Sequence, residues 1–238
     1  MQSAIKNPEK LVEVINDFVA VMLFKDGGRP LSFVDKNNFL ANTKDGEAYK
    51  SEIAVLAGRK LKYDEWQEEW INTWKISERC KEAMNCAGNL VHYIQQSKFA
   101  DVLTPGHEKF NPEAERVLYE IYKSRPGNEE REAFENARKI FGSIYEVISY
   151  LFFIKDSSRF VHLRSGIFEE RLSLVGIEYK LLFKCSWENY IGFIGIMKEI
   201  RNIMQRIIPD VEIRLIDAHS FLWIIGWEEF KEWNKEHK

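Results

Sequence analysis

The stretch from Glu129 to Lys155 constrains this chain more than any other. Phe134, Ala137, Ile140, Phe141, Ile144, Tyr145, Ile148, Leu151 and Phe152 return at three- and four-residue intervals, the period of one buried helical face. From Ile144 to Ile154 the stretch is apolar on nearly every side, and a helix of that kind belongs in the middle of a fold. Read as one helix, it is the longest in the chain. A protein built around it is mainly α.

The remaining pattern agrees. Asn7 and Pro8 form a cap-plus-proline start, and Leu11, Val14, Ile15, Phe18, Val19, Met22 and Leu23 then make one apolar face until Gly27-Gly28 and Pro30. Asp35 to Gly46 reads as loop. Further helices are expected over Ala48–Gly58, Asp64–Trp74, Ser77–Ser97, from Asn111-Pro112-Glu113 to Lys123, from Ser186 towards Pro209, and over Ala218–Ile225 with Asp217 as its cap. In the second of these, Trp66, Trp70 and Trp74 fall at i, i+4 and i+8, a stripe for packing or for an interface. Short strands are expected at Arg159–Arg164, where polar and apolar residues alternate, within 173–183, and at an edge over Val211–Ile216. The expected fold class is thus mainly α, a bundle-like fold with a few short strands in the C-terminal half.

Thr104-Pro105-Gly106-His107 is a turn and the first candidate boundary. It divides the chain into a helical region 1–104 and an α-rich region 105–238, unless all 238 residues share one compact domain, which the length allows. Phe24-Lys25-Asp26-Gly27-Gly28-Arg29 and Ile154-Lys155-Asp156-Ser157-Ser158-Arg159 both follow an apolar helix and share Lys-Asp-x-x-Arg. Helix ends favour cationic and turn-forming residues, which accounts for the echo without a duplication.

Composition removes several function classes. With 34 Lys and Arg against 37 Asp and Glu, the net charge of −3 argues against a generic polyanion binder, which carries a basic excess. Cys80, Cys86 and Cys185 form no C-x-x-C pair and read as buried thiols of a reducing compartment. The N-terminus lacks the apolar core of a signal peptide, and the longest apolar run, Val147 to Ile154, is too short to span a bilayer. A cytoplasmic protein away from the membrane is expected. No cofactor fingerprint, metal-ligand spacing or nucleophile motif is visible, so no catalytic residue, cofactor or metal is assigned.

The densest group of useful side chains is Lys155, Asp156, Arg159, His162 and Arg164. In an extended segment Arg159, Val161 and Leu163 face one way and Phe160, His162 and Arg164 the other, which splits the basic groups unless a bulge intervenes. Phosphate or base-edge contacts need those donors on a shared surface. Asp217-Ala218-His219-Ser220 holds the ingredients of a hydrolytic dyad, although a helix cap beside a satisfied buried imidazole gives the same letters. The tryptophans at 66, 70 and 74, or Trp227 and Trp233, offer faces for docking a partner or a second copy.

Three segments carry a resemblance: Phe153-Ile154-Lys155-Asp156-Ser157-Ser158-Arg159-Phe160, Cys185-Ser186-Trp187-Glu188-Asn189-Tyr190, and Leu215-Ile216-Asp217-Ala218-His219-Ser220-Phe221-Leu222-Trp223. Together they resemble an accessory region of bacterial restriction-type DNA defence proteins, of the HNH or McrBC-like kind, over about Tyr150 to Ile225. The resemblance implies a non-catalytic module that recognises duplex DNA beside a separate nuclease or nucleotide-hydrolysing partner. Lys155, Arg159, His162 and Arg164 would then contact DNA, with Trp187 and Tyr190 as stacking groups. A helical protein-interaction module, including self-association, is the alternative, and a hydrolase using Asp217 and His219 the third reading.

Overall fold

The structure, a computed structural model, describes residues 5–42 and 46–236. Residues 43–45 of the loop expected over Asp35–Gly46 lie outside the described residues. Among the described residues the eleven α-helices are α1 (Pro8–Lys25), α2 (Tyr49–Leu61), α3 (Lys75–Asn85), α4 (Tyr93–Val102), α5 (Ala114–Lys123), α6 (Asn128–Phe141), α7 (Tyr145–Lys155), α8 (Ser165–Leu174), α9 (Trp187–Ile207), α10 (Leu215–Ile224) and α11 (Glu228–Glu236). The fold is mainly helical, as the periodicity requires. Among the described residues no helix is long and apolar enough to cross a membrane.

The chain forms two compact units. One takes the N-terminal stretch up to Ser51, Ser165–Leu182 and the chain from Gly192 onward; the other takes Glu52–Arg164 and Phe183–Ile191. Neither follows a division at residue 104, because distant segments are recruited to each core. In the first unit α1 packs on α11 and α8 on α10, and Phe18 meets Phe221 edge-on at 5.2 Å. Asn7 caps α1, its Oδ1 accepting from the Lys10 amide at 3.1 Å, with Pro8 at the first helical position, where its missing N–H costs nothing.

In the second unit α5 packs against α3, α6 and α7, and α4 against α3, α6 and α7. Every residue of α7 from Tyr145 to Ile154 except Glu146 is buried, which is where an all-round apolar helix must lie. The expected single helix from Glu129 to Lys155 is in fact two. Gly142, with φ +89°, takes a conformation that L side chains disfavour and ends α6, and Ile144 begins a new turn. The expected Asp64–Trp74 helix is also replaced, by two single 3-10 turns at Tyr63–Glu65 and Glu68–Trp70. Trp66 is buried, its indole donating to the Leu61 carbonyl at 2.9 Å, whereas Trp74 is 41% exposed. The tryptophan stripe is therefore not formed.

No strand occurs among the described residues, so the short strands expected at 159–164, 173–183 and 211–216 are corrected. The reason is clearest at 160–163, where Phe160, Val161, His162 and Leu163 are all buried rather than half-wet. Side chains supply the hydrogen bonds a neighbouring strand would have made. The Leu163 amide donates to Ser149 Oγ at 2.8 Å, and the Tyr190 hydroxyl donates to the Val161 carbonyl at 2.7 Å. Buried backbone groups must be paired, but not by a strand.

Candidate functional site

Four helices of the second unit bring the nominated basic residues to different fates. Lys155, the last residue of α7, points back to the end of α5 and to α6. Its ammonium donates to the Ser124 carbonyl and hydroxyl at 2.8 Å each and lies 3.3 Å from Glu130. Arg159 grips the same carboxylate with both arms of its guanidinium, at 2.8 and 2.7 Å. The side chain of Glu130 is 1% exposed and that of Lys155 8%, while Arg159 is 37% exposed. Burial is the largest influence on Glu130 and acts to raise its pKa, yet Arg159 and Lys155 together outweigh it and hold the carboxyl below the usual range. Burial lowers Lys155, with Glu130 opposing. Bidentate Arg–carboxylate geometry of this kind fixes structure as well as charge.

His162 and Tyr190 are buried, so neither meets a ligand at the surface. Tyr190 lies among Phe134, Phe160 and Trp187, with ring centroids 5.5, 6.1 and 6.4 Å away. Trp187 also packs on Phe152 at 5.6 Å. The pair expected to stack on bases thus stacks on the core. Lys155, Arg159, His162, Trp187 and Tyr190 do not form one open basic surface: the hidden carboxylate of Glu130, twenty-five residues upstream of Lys155, claims Lys155 and Arg159, and packing in the core takes His162, Tyr190 and the Trp187 ring.

Arg164 differs. Its Nε lies 3.6 Å from Glu146, and the same carboxylate accepts the His92 amide at 2.5 Å. His92 opens α4, its Nδ1 accepting from the Ile94 amide at 3.3 Å, and its ring sits 4.5 Å from that of Tyr93. Tyr93 is 72% exposed and Ile94 42%. Glu146 therefore links the Arg164 guanidinium to the start of the helix that carries the exposed His92–Tyr93 ring pair. Sequence reasoning missed His92, Tyr93 and Glu146; Tyr93 begins a helix whose apolar pattern is weak, which was the available signal.

The candidate dyad of the first unit is built otherwise than expected. Both oxygens of Asp217 accept from Arg214, at 2.9 and 2.7 Å, and the Arg214 amide donates to Asp217 at 2.8 Å. Asp217 is thus the third residue of α10 reaching back to its start, not the cap itself. Burial raises its pKa, opposed by Arg214. His219 instead presents Nδ1 to Lys50 Nζ at 3.1 Å, and its ring packs on Phe168 at 4.5 Å. Lys50 is 1% exposed, paired with Glu47 and 3.5 Å from Ser220 Oγ. Burial lowers its pKa, with Glu47 opposing. With Asp217 committed to Arg214 and His219 buried, the Asp217/His219 hydrolytic arrangement is not assembled. Among the described residues no group of three or more His, Cys, Asp and Glu is placed to hold a metal ion.

No family model, curated protein or solved structure matches the chain.

Proposed function

We propose that this chain is a helical recognition module that acts by binding a protein partner through the face made by His92, Tyr93, Ile94 and Arg164, and that it performs no chemistry of its own. The observation that carries this reading is an exposed tyrosine ring backed by an imidazole, at a helix start linked to a guanidinium through one carboxylate. Tyrosine and arginine contribute disproportionately at the centres of protein interfaces, and a rigid ring at a helix start loses little freedom on binding. The near-neutral chain suits a protein partner better than a polyanion. A photo-crosslinking residue at position 93 tests it: protein adducts that disappear when Arg164 becomes Ala are expected, and adducts that ignore that change overturn the face.

A second reading follows from Arg164 itself. A guanidinium linked through Glu146 to the helix start that carries an exposed ring pair offers one phosphate contact and one stacking surface, which, with the resemblance above, supports a DNA-recognition or targeting module of a bacterial restriction or anti-phage system. Fluorescence anisotropy with short duplex DNA at two salt concentrations tests this reading. Salt-sensitive binding weakened by Arg164→Ala and Tyr93→Ala is expected, and binding indifferent to both changes refutes it.

A further inference from the structure

The first unit holds an aromatic cleft occupied by one of the chain's own cations. Phe39 and Trp227 meet edge-to-face, with centroids 6.0 Å apart and planes at 83°. The Lys25 ammonium lies 4.7 Å over the Phe39 ring and 2.8 Å from Glu229. Glu228 stands on the same rim, and about 630 Å³ of open cleft remains beside these five residues. The floor is anchored: the Phe39 amide donates to Asp26 at 2.6 Å, and Asp26 is itself buried.

We propose that this cleft is a binding site for a methylated or quaternary ammonium group, with Lys25 as its internal occupant. Two rings at a steep angle and a carboxylate rim are the chemistry that selects a positive, weakly hydrated head group, because each ring face attracts the cation and little water must be stripped from it. The site already holds an ammonium ion. Lys25 and Glu229 keep 26% and 69% side-chain exposure, so their pairing is weak and an incoming cation displaces it readily. The remaining space admits a head group bulkier than the NH3+ of lysine. This inference is independent of the Tyr93 face, which belongs to the other unit.

The test is an NMR titration of the whole chain, following the Trp227 indole N–H, assigned with Trp227→Phe. The probes are Nε-trimethyl-lysine amide and its neutral isostere, which carries a tert-butyl group in place of the trimethylammonium. Saturable shifts at Trp227 are expected with the charged probe, at least about tenfold stronger than with the isostere. Lys25→Ala, which removes the internal competitor, should tighten binding about threefold, and Glu229→Gln should weaken it about threefold. Equal response to both probes, or no Trp227 shift in either the unaltered chain or Lys25→Ala, overturns the proposal.

Discussion

The two Lys-Asp-x-x-Arg segments end apolar helices in the same way and then bury opposite residues. At the end of α1, Asp26 is the hidden group: its carboxylate accepts from the Phe39 amide and from the Asn38 side chain, while Lys25 reaches the surface cleft and Arg29 stays 56% exposed. At the end of α7, Lys155 is hidden and Asp156 stays 32% exposed, capping its own turn through Ser158. The difference lies in what each end packs against. A loop that offers the Phe39 amide and the Asn38 side-chain amide faces the end of α1, and a buried carboxylate on α6 faces the end of α7. A short motif thus states which groups are on offer; the neighbour decides which of them is taken out of water.

The largest expected effect comes from removing the buried carboxylate. Glu130→Ala removes the carboxylate that Lys155 and Arg159 share and should cost about 3 kcal/mol, below the upper range for broken buried pairs because Lys155 keeps Ser124 and water screens the part-exposed Arg159. Urea denaturation measures it, and a loss under about 1 kcal/mol would mean that the network contributes little. Asp26→Ala removes the acceptor of the part-buried Phe39 amide and of one N–H of the Asn38 side chain, which keeps its bond to the Pro30 carbonyl, and should cost about 2 kcal/mol by the same method. If it proved the costlier of the two, the α1 end would be the tighter junction and the comparison would reverse. Tyr190→Phe removes the hydroxyl that satisfies Val161 and should cost about 1 kcal/mol, seen as a lowered thermal midpoint without loss of helical circular dichroism. Lys25→Ala should change stability by less than about 0.5 kcal/mol, because its ion pair is exposed.

Acid sharpens the same contrast. The Glu130 carboxyl is depressed in the folded chain, so its stabilising contribution is complete above the ordinary carboxylate value of about 4.3 and drains away as pH falls through the lower folded value. Acid titration of unfolding should therefore show a shallower loss of stability on acidification in Glu130→Gln than in the unaltered chain. Parallel curves would remove Glu130 from the acid response.

Much of the fold was legible. The apolar periodicity of α1, α7 and α9 and the Asn7-Pro8 start depend on residues three or four apart, so they can be read locally. Gly142 was visible too, but a glycine ends a helix only where the backbone turns to positive φ, and the apolar pattern runs on across it. The Trp66, Trp70 and Trp74 spacing is helical in letters, yet the Trp66 ring and its bond to Leu61 favour tight turns there. At the site, a cluster such as Lys155–Arg164 announces charge but not its partner.

Sequence alone determined a mainly α chain, the Asn7 cap of α1 and the near-complete burial of α7, because helix periodicity and a cap-plus-proline start are short-range physics. The tertiary structure decided that Glu130 would claim Lys155 and Arg159, that Ser149 and Tyr190 would replace a strand at 160–163, and that Lys25 would meet Phe39 and Glu229. Those pairings join residues tens to hundreds of positions apart, and desolvation, which sets their strength, exists only once the chain has closed around them.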